Sequence, residues 1–219
     1  MADKNILYGA SEGFGALTGW NAQSTKDPTQ FERLAAHDDK GDEAASKLVG
    51  EKNEVQSDYE CELDANSIPA AIGALVNSLI LTEISISTDK NAAKLSLRGH
   101  NHGANAHAAS PALRTATHGI TVSKCFGAID FMGGTAGTDA AVESGTCTIK
   151  CDHKDQDDGD GNHLVGENSN AMLECVTTWS GVPTVNAEEG WDVTVESTED
   201  ESTGFIKTVV TGTKKISMS

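Results

Sequence analysis

Basic residues are scarce in this chain. Lys and Arg number 16 against 33 Asp and Glu, for a formal net charge of −17. Binding to nucleic acid through its phosphates needs basic patches, so the balance argues against that activity. It equally disfavours docking on anionic membranes and favours a soluble surface that repels polyanions. Aromatics make up only 5% while Gly numbers 22, which suits strands and turns better than helices. No stretch is long and apolar enough to span a bilayer as a helix. The start, MADKNILYGASEGFG, lacks the basic segment and apolar run of an export signal. With five cysteines, an odd number, and no export signal expected, reduced thiols are the expectation. Cys147 and Cys151 would stand about 13 Å apart along one strand face, too far to bridge. Catalytic signatures are also missing. There is no G-x-S-x-G elbow, no P-loop and no Cys beside a recognisable His motif, and we expect no enzyme.

What is present is an internal echo. Leu164 to Cys175, LVGENSNAMLEC, repeats the pattern of Leu48 to Cys61, LVGEKNEVQSDYEC. Both follow a run thick with Asp. Downstream, Glu83 to Asp89 aligns with Asp192 to Val195 and Ser197 to Glu199, and Leu95 to Gly99 aligns with Val209 to Gly212. Three blocks in the same order, offset by about 110 to 116 residues, read as an internal duplication with echoed halves near 38–102 and 152–215. Cys61 and Cys175 hold matching places, as small buried residues would.

In chain order, residues 1–30 read as a flexible Gly-rich arm. Tyr8 to Gly15 is similar to the TGxxxGxG cofactor loop of short-chain dehydrogenases, yet Ile6 and Leu7 alone precede it as strand. The family's Tyr-xxx-Lys pair is absent, since Tyr8 and Tyr59 are the only tyrosines. Residues 31–219 read as one β domain. Asp38 to Glu43 is an exposed acidic loop, and Val55 to Leu63 alternates as a strand. Asn66 or Ser67, Pro69 and the spacing of Ile68, Ile72, Leu75, Val76 and Leu79 predict a helix over about 67–80. It carries no charge from Ala65 to Thr82, so it should be covered on more than one side. Ile68, Ile72, Leu75 and Leu79 are its expected interface. Leu81 to Gly99 reads as a hairpin turning at Asp89-Lys90-Asn91. Ile120 to Phe131, Thr146 to His153, Met172 to Trp179, and Asp192 to Glu196 with Phe205 to Thr211 complete about eight strands. The fold class is mainly β: an antiparallel sandwich or barrel with one helix.

Two clusters have the chemistry of metal sites. DQDDGDGNHLVGE nearly fits the spacing of a calcium loop, with Asp158, Asp160 and Glu167 at ligand positions but Gln156 in the first place. A calcium-dependent binding module is one reading, with calcium as the cofactor. In a polar loop after the hairpin, His100 and His102 stand on one face with His107 close behind, a set for imidazole-binding metals. It is similar to the first half of a cupin motif, with His107 where a Glu is expected and no second motif following. His118 and His153 could join such a site, which would make a small metalloenzyme.

The layout of strands, a bland helix, charged hairpins and an extended N-terminal arm is similar to that of the tail tube proteins of tailed bacteriophages. It is less closely similar to phage head decoration proteins. The tube resemblance implies a structural virion protein, assembled in the host cytoplasm, whose partners are itself and other virion proteins. It implies hexameric rings whose sheets join into a continuous barrel, stacked through arms and hairpin loops. DNA would pass through an acidic lumen as non-specific cargo, and no membrane would be involved.

Overall fold

A computed structural model describes residues 13–26, 29–64, 66–101, 113–133, 140–158, 163–185, 190–199 and 204–219. Their strands are β1 (Trp20–Lys26), β2 (Thr29–His37), β3 (Glu43–Cys61), β4 (Ala71–Ile72), β5 (Leu75–Val76), β6 (Leu79–Thr88), β7 (Lys94–Asn101), β8 (Ala116–Thr117), β9 (Ala141–Asp157), β10 (His163–Ser180), β11 (Asp192–Glu199) and β12 (Ile206–Lys215). Ten of these form one antiparallel sheet in the order β1-β3-β7-β6-β9-β10-β12-β11, with β2 on β3 and β5 on β6; β4 and β8 form a separate pair.

The mainly β expectation holds, but the eight-stranded sandwich or barrel does not. A single open sheet replaces it, because β6 pairs directly with β9 and carries one half of the sheet into the other. Within each half the order is the same. In the first, β1 and β2 run as one interrupted strand along β3, with Trp20 opposite Cys61 and His37 opposite Glu43. β7 then lies between β3 and β6. In the second, β9 runs along β10, and β12 lies between β10 and β11. The echoed blocks therefore fall on corresponding strands, β3 with β10, β6 with β11, and β7 with β12.

Alternation fixes which face is buried. On β9, Cys147, Ile149 and Cys151 are buried, as are Leu173, Cys175, Thr177 and Trp179 on β10 and Ile84 and Ile86 on β6. Each large apolar side chain so buried contributes roughly 1.5–3 kcal/mol. The cover on this face comes from outside the ladder: Phe14, Ile72, Val122, Cys125 and Met132 join the same core. Residues 126–132 lie so close to the sheet that a Cβ on Gly145 would stand 2.0 Å from the Ile129 carbonyl oxygen, and one on Gly212 2.3 Å from Met132 Sδ. The other face carries hydroxyls and charges, among them Asp58, Glu60, Ser85, Ser87, Ser96 and Thr148, the pattern of a sheet solvated on one side.

Three expectations are corrected by the structure. The helix over 67–80 is absent, as is any helix among the described residues. Gly73, Asn77 and Ser78 have φ of 82°, 49° and 67°, which an α-helix cannot contain. Asn77 and Ser78 instead form the two-residue turn joining β5 to β6, both at positive φ as a type I′ turn requires. The arm over 1–30 is not free along its length: Phe14 and Trp20 are buried and β1 is in the sheet, while residues 1–12 lie outside the described residues. Reduced thiols hold for Cys61, Cys125 and Cys151, but Cys147 and Cys175, opposite one another on β9 and β10, form a disulfide. The alternation that buries both sides of this ladder also aims their sulfurs at each other.

Candidate functional site

The buried face of β9 continues past Cys151 to His153 and Asp155 by the same two-residue step. The β6–β9 ladder runs from Thr88 to Glu83, opposite Gly145 to Lys150. Beyond it, β9 goes on with β10 as a two-stranded hairpin. At this root, His100 at the end of β7 packs its ring against that of His153, with centroids 4.4 Å apart. His153 and His163 side chains are 3% and 4% exposed, and Asp155 20%.

Asn168, fully buried on β10, sets the orientation of His153. Its Nδ2 donates to the carbonyl oxygens of Gly73 at 3.1 Å and Arg114 at 3.0 Å. Its Oδ1 is therefore the acceptor facing His153 Nδ1 at 2.6 Å. That makes Nδ1 a donor, while Nε2 is hydrogen-bonded to Asp155 Oδ1 at 2.5 Å. One ligand atom each from His100, His153 and Asp155 all lie within 4.8 Å of one another. His163 Nδ1 stands 3.9 Å from carboxylate oxygens of both Asp155 and Asp157. An open cleft lined by Glu54, Arg98, His100, Lys150, Cys151 and His153 gives access. Burial and the neighbouring Asp152 push the Cys151 thiol up to about 11, so near neutrality it is not the thiolate that attack or ligation needs.

The expected site residues are thus redistributed. His100 is placed in a cluster, but His102 and His107 lie outside the described residues. His118 stays apart: its Nε2 donates to the Pro69 carbonyl at 2.7 Å while Nδ1 accepts from the Ile120 amide at 3.0 Å. It ties two covering segments together. Of the calcium set, Asp160 is outside the described residues, and Asp158 follows the end of β9. Glu167 is in β10 opposite Lys154 and reaches Arg114 at 3.6 Å. His163 sits opposite Asp157, so Glu167 is about 13 Å further from the tip along the strand. Of the expected helical interface, Ile72 and Leu79 are in the core, Ile68 is half-buried, and only Leu75 is well exposed, at 53%. The single stripe is broken up: Ile72, Leu75 and Leu79 fall on three separate strands, β4, β5 and β6, and Ile68 precedes them. His153, Asp155, His163 and Asn168 were legible only in part; the C-T-I-K-C-D-H-K-D alternation carries His153 and Asp155 onto the buried face, while nothing in sequence pairs β9 with β7's end.

A second kind of surface lies at the sheet's ends. Among the described residues β1 pairs only with β3, and β11 only with β12. Two hairpins also outrun the sheet. β7 accompanies β3 only from Glu60 to Asn53, leaving Glu43–Lys52 paired with β2 alone. β9 and β10 likewise extend past Lys150 and Met172. Strands alternate in direction across the sheet, and β3 and β10 are four places apart, so both hairpins leave from the same end. Their tips are acidic, and Leu34 and Leu164 on them are 50% and 59% exposed.

Compared with known proteins, the chain matches no family model and no curated sequence.

Proposed function

We propose that the protein is a non-enzymatic, self-assembling virion subunit, a tail tube protein of a tailed bacteriophage that forms stacked rings, hexameric as in the tubes it resembles. The observation that carries this reading is the open sheet. Edge strands with unpaired backbone groups are templates for further pairing and are normally capped or shortened. Here β11 is an eight-residue edge with Val195 48% exposed, and β1 is the opposite edge. Pairing β11 of one subunit with β1 of the next is a head-to-tail contact, and such contacts generate rings where the rotation closes. The sheet's polar face supplies a wettable inner wall. Acids and bases nearly balance on it, Asp58, Glu60 and Glu174 standing with Lys94 and Lys150, and the surplus carboxylates lie on the hairpin tips and β11. Among the described residues such a wall offers no basic patch to hold phosphates, so DNA slides along it as non-specific cargo.

The projecting hairpins suit stacking between rings. A two-stranded ribbon is marginally stable alone in water, and the β2–β3 ribbon reaches about 35 Å by strand rise. Light scattering on the purified chain tests the reading together with two variants. Val195→Lys should weaken association within rings, and Leu34→Asp association between them, with melting of the isolated subunit unchanged. A wild-type chain that stays monomeric at high concentration sinks the proposal.

A further inference from the structure

We propose that His100, His153 and Asp155 form a binding site for one divalent transition-metal ion that prefers imidazole and carboxylate, zinc above all. Three observations converge. First, the ligand atoms come from two strands that do not pair, β7 and β9, yet all lie within 4.8 Å of one another. Zinc holds imidazole nitrogen and carboxylate oxygen at about 2.0–2.2 Å, so atoms on one tetrahedral ion stand roughly 3.3 Å apart, and binding requires His153 Nε2 and Asp155 Oδ1 to part from 2.5 Å while His100 draws in. Second, His153 has on Nδ1 the kind of outer-shell partner that a metal-ligating histidine uses. Its Nδ1–H is held at 2.6 Å by Asn168 Oδ1, and the Asn168 amide is fixed by two carbonyls. With an ion bound, that outer-shell bond would select the tautomer whose Nε2 lone pair faces the metal, the ion replacing the contact Nε2 makes with Asp155 Oδ1. Third, the set is one a transition ion chooses over calcium, which takes six to eight oxygens. Three protein ligands leave a fourth position open to water from the cleft. His163 Nδ1 lies 3.9 Å from carboxylate oxygens of Asp155 and Asp157.

The ion would act mechanically. The β6–β9 ladder ends at Glu83 and Lys150, and the β9–β10 hairpin departs there. A metal joining β7 to β9 would clamp the hairpin's root to the sheet and set its angle. This does not depend on the assembly reading, since a clamp would serve a monomer as well.

The test is isothermal titration of zinc, and absorption spectroscopy with cobalt, on the full chain made without a histidine tag. One ion per chain should bind, raising the melting temperature saturably. Asp155→Asn, at a side chain 20% exposed, should fold normally and weaken zinc at least 10-fold; His100→Gln and His153→Gln should do the same. Asn168→Ser should weaken it about 10–100-fold. A joint His102→Ala and His107→Ala variant should bind as the wild type does. No stoichiometric zinc, or binding that survives Asp155→Asn and His100→Gln undiminished, overturns the proposal.

Discussion

Asn168 uses its whole amide from a fully buried position, with both protons on carbonyls and its oxygen on His153. Replacing it with Ala strands three polar groups, each costing about 1–3 kcal/mol. Chemical denaturation of Asn168→Ala should show a loss of about 3 kcal/mol or more. Two other residues set the acid limb of stability. Burial holds the His118 imidazole below its ordinary 6.5, against the Pro69 carbonyl, which favours the cation. A histidine kept neutral in the fold protonates more readily when unfolded, so its contribution is full above 6.5 and is lost as pH falls through its lowered value. Burial acts to raise the Asp58 carboxyl, but donors from Gln56, Ser24 and Ser96 and the charge of Lys26 hold it below its ordinary 3.8. Its contribution is full above 3.8 and fades below. Melts across pH should therefore decline in two stages, the first reduced in His118→Gln. The thiols give another check. Burial, then Cys125 beside it, pushes the Cys61 thiol up to about 12, so native protein should react slowly with thiol reagents. Unfolded without reductant, three cysteines should titrate and, after reduction, five. Opening the Cys147–Cys175 bond should cost about 2–4 kcal/mol.

At the scale of elements, the segment from Ile68 to Leu79 separates two readings by the sign of one substitution. Ser78 is at φ 67° in the β5–β6 turn, where a residue with a Cβ costs roughly 1–2 kcal/mol. Ser78→Gly should stabilise the protein by about 1 kcal/mol, whereas in the helix that the spacing suggests it would cost about the same. The helical pattern misleads because Ile72 and Leu79 serve the core from separate strands, the two-residue β4 and the start of the ten-residue β6, and hydrophobic spacing cannot distinguish a turn-broken chain from a continuous one. Long strands were more legible. The Leu81–Gly99 hairpin turns at Asp89, whose Oδ1 accepts from the Asn91 amide at 2.7 Å. The acidic runs mark hairpin tips, since carboxylates are solvated where no sheet neighbour covers them. Of the metal cluster, His100 was legible as a candidate and His153 only as a possible addition, because β7 and β9 do not pair and are brought together by β6 between them. A disulfide escaped notice for a related reason: Cys147 and Cys175 meet only through the register of β9 on β10.

At the scale of the molecule, the echo becomes a repeated strand order, a long hairpin followed by a shorter one that tucks its last strand inward, twice over. Joining the halves through β6 and β9 makes one sheet and leaves an edge at either end. A monomer so built exposes Val195 and Ile206 on β11 and β12 and Leu34 and Leu164 on the hairpins, surfaces that assembly would cover. Ile84, fully buried near the central seam, is where cutting the core should hurt most: Ile84→Ala should cost about 2–5 kcal/mol, read by denaturant unfolding, and should remove assembly along with the fold. Negative-stain electron microscopy of the purified full chain addresses assembly directly. The account predicts rings or stacked tubes, dispersed into single subunits by Val195→Lys. Separate monomers at every concentration, from a chain with intact β circular dichroism, would contradict it.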